Sequence, residues 1–201
     1  FPLVITKAEG AYLYDIDGNR YVDYLQAGGP TLLGSNYEPV NQKVWEVVKE
    51  SGPVTGLFHP YEMKLAEKIR ECMPWVEMYR CLASGTEADM VAIRIARTYT
   101  GKERIVKVGG AYHGWSDQLV YSLHIPYTKT FEAHGIPKDV SANTGEFFPG
   151  DVESLRRVLE ENEKHGGTAA VLIEPFGPES GTRPVALDFA AKVRALCDEF
   201  N

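Results

Sequence analysis

An α/β fold with a mainly parallel sheet is predicted by three features of the 201-residue sequence. Short apolar runs, Met78 to Ala83, Ile105 to Val108 and Ala169 to Ile173, alternate with stretches whose apolar residues recur at helical spacing. These runs are nearly continuous rather than alternating with polar residues, as in strands covered on both faces. The composition, 44% hydrophobic and 24% charged, suits a chain that buries a core.

The elements follow in order. Ala11 to Tyr14 and Tyr21 to Tyr24 flank the turn Asp15-Ile16-Asp17-Gly18-Asn19-Arg20, which predicts an N-terminal β-hairpin. Gln26 to Pro30 is a looser segment. Val40, Val44, Val47 and Val48 between Pro39 and Gly52 predict an amphipathic helix with suitable start and stop residues. A second helix is expected from Pro60 to Cys72, burying Leu65, Ala66, Ile69 and Cys72, with Pro74 closing it. Met78 to Ala83 then reads as a buried strand, and Thr86 to Tyr99 as a helix with Ala88, Val91, Ala92, Ile95 and Ala96 inward. Gly101 ends that helix, and Ile105 to Val108 forms the next strand. The stretch from Ser122 to Glu146 has weak periodicity and several Pro, Gly and His residues, so a long functional loop or irregular excursion is expected there. Asp151 caps a helix carrying Leu155, Val158 and Leu159. Ala169 to Ile173 is a third strand, and a last helix packs Val193, Leu196, Cys197 and Phe200.

Charge and cysteine usage restrict the function. With 21 Lys and Arg against 28 Asp and Glu, the net charge is −7, so no cationic surplus is available for nucleic acid. No apolar run approaches the roughly 18 to 20 residues that cross a bilayer, and no signal peptide is legible. Cys72, Cys81 and Cys197 lie in apolar sequence surroundings without CxxC spacing, which signals neither a disulfide framework nor a zinc site and makes the reducing cytoplasm the expected location.

Three segments carry chemistry. Ser84-Gly85-Thr86-Glu87-Ala88 sits between a predicted strand and a predicted helix, where small residues let backbone N–H groups approach an anion. The same pattern also serves as an ordinary capped helix start. Gly109-Gly110-Ala111-Tyr112-His113-Gly114-Trp115 follows the next strand and is expected to face the same crevice. An aromatic ring there can stack on a flat ligand; alternatively Tyr112 and Trp115 are half-buried packing residues and His113 is bonded within the loop. Glu174-Pro175-Phe176-Gly177-Pro178-Glu179 follows the third strand and brings two carboxylates to its end, Glu174 directly after five apolar residues.

Together these motifs resemble the class III, ω-type, pyridoxal-phosphate aminotransferases of fold type I, a family that includes glutamate-1-semialdehyde aminomutase. Gly10, Asp15, Asp17, Gly18, Tyr21 and Asp23 are similar to the family's N-terminal hairpin, and the likeness extends over nearly the whole chain. The resemblance implies that Ser84, Gly85 and Thr86 hold the phosphate of pyridoxal 5'-phosphate, that Tyr112 stacks on its ring with His113 beside it, and that Glu174 lies near the ring edge. Glu179 is similar to a residue that pairs with a substrate-side Arg in some relatives. It further implies residues 1–55 as a small-domain segment, 56–201 as the first part of the large cofactor domain, and a homodimer with its active site at the interface. Its partners would be a small-molecule amino donor and a carbonyl acceptor.

The family's ring-nitrogen Asp and Schiff-base Lys are not matched, and none of the eleven lysines stands in the family's context. The expectation is therefore an N-terminal portion of a longer transferase, inactive by itself. Ala27 and Gly28 stand where aminomutases usually show a Ser-Trp pair, a glycine-rich lid is unrecognisable in Ser122 to Glu146, and Gly177 replaces the Gln of many ω-aminotransferases. The expected activity is amino transfer between an amino acid or amine and a keto acid or aldehyde. Intramolecular aminomutase chemistry is the alternative, and a non-catalytic phosphate-ligand module is a third reading of the 201 residues alone.

Overall fold

A computed structural model describes residues 3–52, 56–120, 135–177 and 183–201, arranged in two compact units, Phe1–Val76 and Glu77–Asn201. The first unit opens with an antiparallel meander of β1 (Ile5–Glu9), β2 (Tyr12–Asp15) and β3 (Arg20–Val22), in that spatial order. The predicted hairpin is β2–β3, with Tyr12 opposite Val22 and Tyr14 opposite Arg20; β1 adds a third strand. The turn is organised by one carboxylate. Asp15 accepts from the N–H groups of Asp17 at 3.0 Å and Asn19 at 2.8 Å, from Asn19 Nδ2 at 3.0 Å, and from the Tyr21 hydroxyl at 2.8 Å. These donors, the Asn19 side chain foremost, hold the Asp15 carboxyl below its usual range, while the same carboxylate pushes the Tyr21 phenol up.

Two helices follow, α1 (Glu38–Ser51) and α2 (Pro60–Cys72), each with proline in its first turn. The His59 side chain caps α2 by accepting from Tyr61 N–H at 3.2 Å. The burial expected of α2 is not found: Leu65 and Cys72 are exposed, and Ala66 and Ile69 are only half-buried. Nor does α1 bury its valine stripe, since neither helix packs extensively on another described element. Spacing creates an apolar face, and only an opposing layer can bury it.

In the second unit, β4 (Arg104–Val108) lies between β5 (Thr144–Phe147) and β6 (Thr168–Leu172), with all three strands parallel. Helix α3 (Gly85–Thr100) covers one face, its Ile93 meeting Ile105 and Leu119 with Ala170 and Leu172 packed around them. On the other face α5 (Val152–Glu163) and α6 (Phe189–Glu199) bring Leu155, Leu159, Phe189, Val193 and Leu196 against Val106, Val108 and Phe147. Asp151 caps α5 as predicted, accepting from Ser154 N–H at 3.0 Å.

Four expectations are corrected here. Met78 to Ala83 is not a strand, and Met78 is 91% exposed. An apolar run becomes a strand only when a neighbour supplies its ladder, and none pairs with it among the described residues. Helix α3 buries Ile93 rather than the predicted stripe, and Val91 and Ile95 face out, because the helix has two apolar sides and the sheet takes the other. Of the supposed excursion from Ser122 to Glu146, residues 122–134 lie outside the described residues, but Lys138–Ser141 is a one-turn helix, α4, and Thr144 begins β5. Cys72 and Cys81 are exposed and Cys197 is half-buried, so only the last has an apolar environment; burial pushes its thiol up. Among the described residues no helix is long and apolar enough to cross a membrane.

Because the folded Asp15 carboxyl titrates below its unfolded value of about 4, its contribution is fully present above that value. It is lost as pH falls through the depressed one. Protection factors across Tyr12 to Val22, taken relative to the intrinsic exchange rate at each pH, are therefore expected to fall on acidification in the wild type and to lose most of that dependence in Asp15→Asn. Equal pH dependence in both proteins would remove Asp15 as the organiser of the turn.

Candidate functional site

Parallel strands put their carboxyl ends on one side, and α3, which runs back ahead of β4, starts on that side too. Its first turn is built by Ser84, whose Oγ accepts from Glu87 N–H at 3.2 Å and lies 3.3 Å from Glu87 Oε2. Ser84 O accepts from Ala88 N–H at 3.1 Å. The Ser84 hydroxyl is thereby committed to the helix cap. Gly85 and Thr86, the first helical residues, keep N–H groups that the helix cannot use. Beyond its own helix turn, no described residue comes within 4 Å of where a Cβ on Gly85 would stand, so among the described residues this side of the turn is open.

The loop after β4 returns over this turn. Gly109 N–H donates to Phe147 O at 2.9 Å, fixing the loop's departure from the sheet. Trp115 N–H donates to Thr86 Oγ1 at 3.0 Å. Between them Gly114, at φ 92°, lies so close to α3 that a Cβ on it would stand 2.5 Å from Thr86 Oγ1 and 2.8 Å from Thr86 Cα. The far end is held by Thr144 Oγ1 donating to Gln118 O at 3.0 Å and Arg97 Nη1 donating to Gln118 Oε1 at 2.9 Å. Tyr112 is left 60% exposed and Trp115 73% exposed, so neither is a half-buried packing residue.

His113 is half-buried, and burial together with the nearby Lys107 pushes its pKa down to about 4. It is a neutral imidazole at neutral pH. Its Nε2 and the Ser116 Oγ are buried without a hydrogen-bond partner among the described residues. Glu174 is half-buried just past the end of β6, and its carbonyl accepts from Gly177 N–H at 3.1 Å. Gly177, at φ 102°, runs against the backbone of Arg183 and leaves no room for a Cβ. Glu179 lies outside the described residues.

The topology thus brings the Ser84 turn, the Tyr112 loop and Glu174 to one end of the sheet, and joins the first two by direct contact. Sequence reasoning missed Lys107 and the role of Gly114. A lysine inside the run Ile-Val-Lys-Val was a visible signal for the former; the latter needed α3 placed against the loop.

The aminotransferase class-III family model matches residues 1–201. A glutamate-1-semialdehyde 2,1-aminomutase of Campylobacter hominis is 36% identical over 201 residues, taking in 98% of this chain and 43% of the relative. A solved transaminase with PLP bound aligns at a TM-score of 0.88 and 28% identity, over 100% of this chain and 47% of that one. An omega-transaminase from Sphaerobacter thermophilus aligns at 0.87 and 28%, with the same coverage of 100% and 47%. The chain spans less than half the length of these relatives. The likenesses bear out the α/β fold of the type I transferases read from the sequence.

Gly114→Ala places a methyl group into Thr86 and strains a left-handed backbone, so the loop must lift from α3. The Trp115 amide is expected to lose its exchange protection and the unit to lose about 1–3 kcal/mol in denaturant unfolding. Retained protection with unchanged stability would mean that the loop accommodates the methyl group elsewhere.

Proposed function

The chain belongs to the class-III aminotransferase family, and from that membership we propose that it seats pyridoxal 5'-phosphate for an enzyme moving amino groups between amines or amino acids and keto acids or aldehydes. The observation carrying the proposal is the junction of Thr86 with Gly114 and Trp115, which unites an open anion-binding turn and an exposed aromatic ring. When bound, the cofactor supplies an electron sink for carbanion chemistry at the amine-bearing carbon.

The chain's own residues fit that group. Gly85 and Thr86 N–H groups receive the phosphate, aided by the positive end of α3, while Ser84 keeps the helix start in shape. Tyr112 offers one π-face to the ring and shields that side from water. His113 stays uncharged beside it and adds no cation that would compete for the phosphate. By the family resemblance Glu174 would lie near the ring edge, and Glu179 would pair with a substrate-side Arg. A small-molecule amino donor and a carbonyl acceptor are the partners of a cytoplasmic, homodimeric parent protein. The exposed stripes on α1 and α3 support assembly with further protein surface.

The aminomutase reading is favoured by the 36% identity to an aminomutase. It is distinguished by turnover of a single amino aldehyde by the parent enzyme without a second amino donor.

Cofactor titration of the chain tests the seat. Gly85→Val adds its Cβ where no described residue beyond the local helix lies within 4 Å, so it is expected to weaken pyridoxal phosphate and inorganic phosphate alike by crowding the approach. Tyr112→Ala is expected to weaken pyridoxal phosphate by about tenfold and to spare inorganic phosphate. Unaltered cofactor affinity in both variants would sink the site assignment. Borohydride reduction of the chain with pyridoxal phosphate is expected to leave no lysine adduct and no transamination; an adduct on one of its lysines together with turnover would overturn the division of labour.

A further inference from the structure

Lys107 is the one charged residue in the middle of β4, and it is 0% exposed. Strand alternation puts it on the same face as Ile105, under α3 and the loop that follows the strand. Its Nζ donates to Leu119 O at 3.0 Å and stands 3.5 Å from Ala111 O. Ala111 and Leu119 bracket the segment that carries Tyr112, His113 and Trp115. Glu146 is the register partner of Lys107 on β5 and opposes the effect of burial, which nevertheless lowers the lysine to about 8. At neutral pH the group therefore keeps its proton and its donors.

An apolar side chain of similar length would fill this space at least as well, because burying a charge gives no stability by itself. What it could not do is bind the two carbonyls. Among the described residues the loop's other ties lie elsewhere: Gly109 at its start, Trp115 on α3, and Gln118 against Thr144 and Arg97. Of the described side chains, Lys107 is the one that reaches its interior from beneath.

We propose that Lys107 is a positioning residue that pins the floor of the Ala111–Leu119 loop to the central strand and thereby fixes the direction in which Tyr112 presents its ring. What the ring meets rests on the cofactor reading above; the pin itself does not.

The test uses the full chain with Lys107→Met, and with Lys107→Met combined with Glu146→Gln so that no carboxylate is left uncompensated. Amide exchange is expected to rise by about tenfold in residues 109–120, with β4, β5 and β6 still protected in the double variant. Pyridoxal phosphate affinity is expected to fall by about tenfold while inorganic phosphate affinity stays within about twofold, because the ring loses its platform and the α3 turn keeps its donors. A merely structural lysine would loosen the whole sheet and weaken both ligands together. That outcome, or unchanged exchange in the loop, overturns the proposal. If pyridoxal phosphate fails to bind the unsubstituted chain, the cofactor reading falls, and loop exchange still decides whether Lys107 is the pin.

Discussion

β4 has no face exposed to water, and its register against β5 and β6 sets the frame on which the described helices α3, α5 and α6 pack. With Val106 and Val108 committed to α5 and α6, and Ile105 committed to α3, the strand can end in only one direction. Its next residues must turn back over the start of α3. The loop geometry follows from that return: Gly109 holds to Phe147 at the sheet, and five residues later Gly114 finds α3 already occupying the space where a side chain would be. Chemistry at this end of the sheet thus depends on packing several residues away from any group that could touch a ligand.

Much of this was legible in the sequence because its signals were local. The Asp15-to-Arg20 turn, the proline starts of α1 and α2, the glycine stop of α1, the Asp151 cap and the runs that became β4 and β6 each announce themselves within a few residues. The elements that escaped are those made by their neighbours. β5 reads Thr-Gly-Glu-Phe, with no apolar run, and is a strand because β4 offers it a ladder. β1, Ile-Thr-Lys-Ala-Glu, is polar and mostly exposed, and pairing with β2 is what makes it a strand. Met78 to Ala83 is the converse, a suitable sequence without a described neighbour. The site followed the same division: residue types at the strand ends were readable, whereas the fit of Gly114 on Thr86 and the reach of Lys107 to Leu119 required three dimensions.

Gly177 shows how a difference from relatives can lie in the backbone rather than in a side chain. The position is left-handed and lies against Arg183, so the Gln common in many ω-aminotransferases has no place on this path. A change there involves the whole return of chain after β6. Comparison of side chains alone would misjudge this end of the site, because Glu174 reaches it on the same segment.

The bond from Trp115 to Thr86 also has a consequence for binding strength. On the cofactor reading proposed above, a ligand that carries both an anion and a flat ring would meet two receptors held at a fixed separation, so capture at one would present the other at high effective concentration. The gain from such linkage is avidity, on the order of 10²–10⁴ over either contact alone, and it needs no new contact. It vanishes when the two receptors drift apart. On that reading, a small hydroxyl on the first turn of a helix would determine whether the two contacts multiply or merely coexist.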